Sequence, residues 1–154
     1  MKMRENSIRL KDFDYTLPAG YFLTFNTWKW ERLFGEIING EMRLSPAGEL
    51  VADTWHWLAR QYHYVRLDAW VLMPDHFHGI LVIDHRHPNA KPVHQLVGAF
   101  KTVSAKRVND LRENPGMPLW HRSYHDVVIR NDGSIDRIRR YILENPSKWA
   151  LHHP

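Results

Sequence analysis

The stretch Val65-Arg66-Leu67-Asp68-Ala69-Trp70-Val71-Leu72-Met73, then Pro74-Asp75, then His76-Phe77-His78-Gly79-Ile80-Leu81-Val82-Ile83, decides the architecture. Two apolar, β-branched and aromatic runs separated by two turn-forming residues read as a β-hairpin. Successive strand residues point to opposite faces, and both sets are largely apolar here, so the two strands are central in a sheet covered on both sides. Upstream, Ser45-Pro46 predicts a helix start, with Ser as cap and Pro at the first helical position. Leu50, Val51, Trp55, Leu58 and Ala59 then recur at helical spacing to about Gln61. Tyr21–Thr27, entered through Pro18-Ala19-Gly20, reads as the first strand. Downstream, the polar break His85–Pro92 precedes a second amphipathic helix carrying Val93, Leu96, Val97, Phe100, Val103, Val108 and Leu111, which ends near Asn114-Pro115-Gly116. Trp120–Arg130 is the fourth strand. Asn131-Asp132-Gly133 is a turn, and Ser134 caps a last helix that Pro146 terminates. The order β-α-β-β-α-β-α predicts an α+β fold: a ferredoxin-like (split βαβ) antiparallel sheet with helices on one face and an appended C-terminal helix.

With 154 residues, 44% of them hydrophobic, and seven Trp, six Tyr and six Phe, the chain has the material for one packed core. A single domain over residues 1–154 is expected, and the aromatic content excludes disorder as the main state. The absence of cysteine removes a disulfide scaffold, a thiolate metal site and a cysteine nucleophile, and fits a reducing, cytoplasmic setting. Met1–Lys11 contains no apolar signal region, and the longest apolar runs, Ala69–Pro74 and Gly79–Ile83, are too short to span a bilayer. The net charge is +4, but its distribution says more. Lys91, Lys101, Lys106, Arg107 and Arg112 face Asp110 alone between positions 91 and 112, and Arg137, Arg139 and Arg140 lie close together. Basic stretches beside aromatics suit a nucleic-acid backbone, and they equally suit a solvated helix face.

His76 and His78 are two apart on a predicted strand, so both project from one face and can aim imidazole nitrogens at one ion. Two imidazoles leave a divalent ion short of ligands. A second pair, His85 and His87, falls in the polar break and reads as solvated loop. On the last helix Tyr141 and Asn145 are neighbours at the edge of the stripe formed by Ile135, Ile138 and Ile142, with Arg137, Arg140 and Glu144 opposite. From the helix alone Tyr141 reads as a packing residue with its hydroxyl in water. Pro146 disfavours a helical backbone at Asn145.

From about Arg9 to Trp149 the chain resembles the single-tyrosine transposases of the HUH superfamily, and in particular the group associated with repetitive extragenic palindromes. The resemblance rests on Tyr21-Phe22-Leu23-Thr24-Phe25, on Leu67–Gly79 with its ending Val71-Leu72-Met73-Pro74-Asp75-His76-Phe77-His78-Gly79, and on Ala99-Phe100-Lys101-Thr102. It continues through Leu119-Trp120-His121-Arg122-Ser123-Tyr124-His125-Asp126 with Ile129-Arg130-Asn131, and through Ile138–Ile142 and Glu144–Trp149. Three neighbouring positions depart from the usual pattern: Asp75 stands where Asn is common, His121 where Gln is common, and His125 where a second aromatic is common.

The resemblance implies a metal-dependent strand transferase acting on single-stranded or hairpin DNA in the bacterial cytoplasm, at the nucleoid. In its terms Tyr141 is the nucleophile, and His76, His78 and Asn145 hold a divalent metal. Tyr141 becomes joined to a 5′-phosphate while a free 3′-hydroxyl leaves. Hard oxygen chemistry favours Mg²⁺ or Mn²⁺, although imidazoles also accept Zn²⁺, Co²⁺ or Ni²⁺. Lys101, Lys106, Arg107 and Arg139 are the candidate phosphate contacts, and exposed aromatics such as Trp28 or Trp30 are candidates for stacking on unpaired bases. Monomer and homodimer both remain open. Two other classes compete: a metal or histidine phosphoesterase, which releases product without a protein–DNA adduct, and a non-catalytic hairpin-binding regulator, which tolerates loss of Tyr141. A third alternating His, expected of a nucleotide hydrolase, is absent because Ile80 occupies its place.

Overall fold

The structure, a computed structural model, describes residues 3–4, 19–130 and 132–152. The readings placed on residues 1–2 and 5–11, on Pro18 and on Asn131 lie outside these residues. The elements are β1 (Met3–Arg4), β2 (Ala19–Asn26), β3 (Gly35–Ile38), β4 (Glu41–Leu44), α1 (Pro46–Gln61), β5 (Val65–Met73), β6 (His76–Ile83), α2 (Val93–Leu111), β7 (His125–Ile129) and α3 (Asp132–His152). The main sheet runs β1-β7-β2-β6-β5 with every pair antiparallel. Its four long strands therefore lie in the order fourth, first, third, second, which is the split βαβ arrangement the element order predicts.

Alternation along β2 and β6 divides the core in two. Leu23, Phe25, Phe77 and Leu81 face α1 and α2, where they meet Trp55, Leu58, Leu96 and Phe100. Phe22, Ile80 and Val82 face the other way and meet Ile138 and Ile142 of α3. Gly79 makes the first layer possible, because a Cβ there would stand 2.7 Å from the Phe77 ring and 2.8 Å from the Trp55 ring. Ser45 caps α1 as predicted, its Oγ accepting from the Gly48 N–H at 3.0 Å.

Five expectations need correction. β5, read as central, lies at the edge of the main sheet and pairs with β6 alone. β3 and β4 form a two-stranded hairpin that was not expected. Its turn residues Asn39 and Gly40 have φ of 53° and 76°, the paired left-handed conformation for which Asn-Gly is favoured. The first strand spans Ala19–Asn26 and stops short of Thr27, which makes only an isolated bridge to Trp120. The fourth long strand is His125–Ile129, shorter than Trp120–Arg130. The carbonyls of His121, Arg122 and Ser123 turn out of the ladder to accept from Lys101 Nζ, at 2.9, 3.4 and 3.5 Å. Finally α3 begins at Asp132, so Ser134 lies inside it, and it continues through Pro146 to His152. Proline removes one N–H from the helix ladder, and contacts beyond it hold the last turns in place. Trp149 stacks on His76 with ring centroids 6.1 Å apart, and the Arg32 guanidinium lies 5.3 Å from the Trp149 ring centroid. Among the described residues no helix is long and apolar enough to cross a membrane.

Candidate active site

The β5–β6 hairpin places His76 at the start of a central strand, and strand alternation turns His76 and His78 towards α3. His76 Nδ1 lies 2.7 Å from Asp75 Oδ1. An ionised carboxylate only accepts, so the ring nitrogen donates and Nε2 is left for another partner. His78 Nδ1 lies 2.9 Å from Thr24 Oγ1, on the neighbouring strand. His78 is only 7% exposed, and burial, helped by the charge of His76, pushes its pKa down to about 3. It is a neutral imidazole at physiological pH. The two rings have centroids 4.8 Å apart.

Tyr141 reaches the same place from α3. Its ring meets His78 edge to face at 5.5 Å and Phe22 at 6.1 Å between centroids. Ile138 and Ile142, one turn apart on the buried side of α3, anchor the helix, while Tyr141 itself remains 47% exposed. Helix α3 is also tied to the edge strand: Arg139 Nε and Nη2 donate to the two Asp68 oxygens, each at 2.7 Å, where β5 is bulged between Leu67 and Trp70. That guanidinium holds the Asp68 carboxyl below its ordinary range.

Tyr141 is the wall between two cavities. One, of about 420 Å³, is lined by Trp30, Asp75, His76, Tyr141, Asn145, Lys148 and Trp149. The other, of about 740 Å³, is lined by Phe22, Thr24, His78, His125, Val127, Arg137, Ile138 and Tyr141. Asn145 keeps helical geometry despite Pro146, its Nδ2 lying 3.4 Å from the Tyr141 carbonyl oxygen. Trp30 is 62% exposed on a tight turn where it and Lys29 have φ of 58° and 55°. Thr27 ties this turn to the β5–β6 hairpin, its Oγ1 donating to the carbonyls of Glu31 and Asp75 at 2.8 and 3.1 Å. Two adjacent non-glycine residues in that conformation are uncommon, and such strain concentrates at functional sites.

The structure thus gathers His76, Tyr141 and Asn145 around one cavity, sets His78 in the other beside Tyr141, and leaves the expected phosphate contacts elsewhere. Lys101, Lys106 and Arg107 belong to α2, on the other face of the sheet. Lys101 is tied to the 121–123 carbonyls, and burial lowers its pKa to about 8. Lys106 pairs with Asp110, and Arg107 with Asp53 and Thr54. Arg139 shares the helix of Tyr141 but is bound to Asp68 and Asp136. Sequence reasoning missed Arg137, Lys148, Trp149, Thr24 and His125 as cleft residues. Arg137, expected opposite the apolar stripe, instead lines a cavity beside Ile138 and Tyr141; Arg137 and Lys148 stand four before and seven after Tyr141, the spacing that puts all three on one helix face.

The donor set fits a divalent ion. Two imidazoles, each with Nδ1 hydrogen-bonded and with ring centroids 4.8 Å apart, are the kind of nitrogen donor such an ion takes. Among the described residues no group of three or more His, Cys, Asp or Glu could hold a metal; Asn145, whose amide oxygen is a hard donor, lines the same cavity as His76.

The half-exposed tyrosine and the paired histidines lie together on one face of a split βαβ sheet, a fold shared with solved transposase structures. A family model described as IS200-like transposase matches residues 48–145. A Haemophilus influenzae protein of uncharacterised function is 31% identical, over 93% of this chain and 88% of its own length. Among solved structures, a REP-associated tyrosine transposase bound to a REP hairpin aligns with TM-score 0.64 and 16% identity, over 93% of this chain and 73% of its own. A transposase candidate from Deinococcus radiodurans R1 aligns with TM-score 0.57 and 22% identity, over 90% and 98%. The chain belongs to the IS200-like transposase family.

Proposed function

We propose that this transposase nicks and rejoins single-stranded DNA, presented as a hairpin, using Tyr141 as nucleophile. The observation that carries the reading is the convergence of Tyr141, from α3, on His78, from β6, at 5.5 Å between rings, with cavities on both sides. Tyr141 Oη attacks the scissile phosphorus and forms the phosphotyrosine bond while the bond to the 3′ oxygen breaks; the phenol gives its proton to solvent, and the 3′ oxygen takes one from solvent and leaves as a hydroxyl. The new ester preserves the phosphodiester's free energy, so the reverse attack by another 3′-hydroxyl needs no added nucleotide. His76, His78 and Asn145 hold a divalent ion, Mg²⁺ or Mn²⁺ in use. Bound there, it supplies charge neutralisation at the phosphoryl oxygens. Asp75 and Thr24 engage Nδ1 of the two imidazoles, which makes Nε2 of each the nitrogen that would ligate.

Arg137 and Lys148 flank Tyr141 and are placed to hold the strand, while Lys101, Lys106 and Arg107 add long-range attraction from behind the sheet. Arg139 joins the strand contacts only by leaving Asp68. Trp30 offers a face for an unpaired base. We read residues 1–154 as one domain working on DNA in the cytoplasm. The test is incubation with hairpin DNA and Mn²⁺ followed by denaturing electrophoresis. A covalent protein–DNA band supports the reading, whereas cleavage without an adduct favours a phosphoesterase and binding without cleavage a regulator.

A further inference from the structure

The larger cavity shares Thr24, His78, Arg137 and Tyr141 with the site above, but its apolar floor has no part in that chemistry. Its base is apolar, formed by Phe22, Val127 and Ile138, all of them buried. Its polar edge carries His125 and Arg137, and its lining includes no Asp or Glu. Arg137 makes one long contact, Nη2 to Ser134 Oγ at 3.4 Å, and is otherwise exposed. A concave site that is mostly apolar with a few convergent polar groups takes a small ligand, and about 740 Å³ is within the range of such sites. A nucleotide has the matching chemistry, with an apolar base face and a phosphate that a guanidinium binds through charge-assisted hydrogen bonds.

We propose that this cavity is the subsite for one of the two nucleotides that flank the scissile phosphate. Its base unstacks onto Phe22, Val127 and Ile138, and its own phosphate lies at Arg137 and His125. The inference rests on Tyr141 being the nucleophile, because that places the reacting phosphate at the wall of the cavity. The smaller cavity is unlike it: Asp75, His76, Asn145 and Lys148 make it polar, and it suits the phosphate and its ion better than a base.

The test begins with wild-type protein, Mn²⁺ and a pool of hairpins carrying randomised single-stranded flanks; sequencing of the products locates the cut. Affinity for the selected hairpin is then measured by fluorescence anisotropy in Tyr141→Phe protein, with and without Arg137→Gln, and with an abasic site at each flanking nucleotide in turn. Thermal melting confirms that the exposed Arg137 position tolerates the change. At one flanking position, and only one, the abasic site should weaken binding about tenfold, the scale of a single base contact. Arg137→Gln should weaken binding of the intact hairpin by a similar factor but cost little more once that base is missing. Additive losses, or equal losses at both flanks, overturn the subsite while leaving the nucleophile in place. No cut in wild-type protein overturns the nucleophile and the subsite together.

Discussion

The two faces of the sheet are built from the same strands and do different work. On the α1/α2 face Phe25, Phe77, Phe100, Trp55 and Trp120 interlock with ring centroids 4.7 to 6.0 Å apart and almost no solvent access. On the α3 face a single helix lies over smaller side chains, and the residues flanking its apolar stripe open into two cavities. Stability is concentrated in the first layer. The second holds a half-exposed tyrosine and two neighbouring imidazoles.

The largest effect expected from this contrast is on stability. Phe77→Ala should cost about 3–5 kcal/mol, the range for deleting a fully buried ring, whereas Phe22→Ala, already bordered by a cavity, should cost about 3 kcal/mol or less. Urea unfolding of the two variants checks the order, and a reversal breaks the comparison. Replacing His76 or His78 by Ala should do the opposite. Calorimetric titration should show Mn²⁺ affinity falling by at least about 100-fold, beyond the effect of losing an outer-shell partner, with the unfolding midpoint little changed.

The Asp68–Arg139 clamp sharpens the comparison, because it ties the thinly packed helix to the sheet edge. Asp68→Asn should cost about 1 kcal/mol, the upper end for a partly exposed ion pair. The folded carboxyl titrates below its unfolded value, chiefly through the hydrogen bonds from Arg139, so its contribution is full above about pH 4 and is lost as pH falls through the lowered value. Wild type and variant should therefore converge in stability below about pH 4, as followed by circular dichroism. The smallest effect concerns DNA. Lys106→Ala with Arg107→Ala should change hairpin affinity less than Arg137→Gln alone, and the slope of log affinity against log salt should drop by about 0.7 for each phosphate contact removed. A larger loss from the α2 pair would place the strand on the wrong face.

Much of this was legible in the chain because it is local. The 65–83 hairpin, the Ser45-Pro46 cap and the apolar periodicity of α1 and α2 each express a short-range rule, and strand alternation alone put His76 and His78 on one face. The β3–β4 hairpin carried an Asn39-Gly40 signal that was passed over, since its strands are short and weakly apolar. Pro146 misled because helix continuation there depends on Trp149 meeting His76 and Arg32, contacts far apart in sequence. The cations were misjudged for the same reason. Charge density along α2 does not reveal that Asp53, Asp110 and three carbonyls already engage it. Trp30 is set beside the cleft by the hydrogen bonds through which Thr27 joins its turn to the β5–β6 hairpin, contacts between distant chain segments.

The central claim is that one phenol on the open face does the covalent chemistry. The most direct measurement is mass spectrometry of the protein–DNA adduct after nuclease trimming. The account predicts a nucleotide remnant on the peptide containing Tyr141, absent in Tyr141→Phe protein, which should keep its fold and its hairpin affinity. A remnant on Tyr62 or Tyr124, or an adduct that persists in Tyr141→Phe, would contradict it.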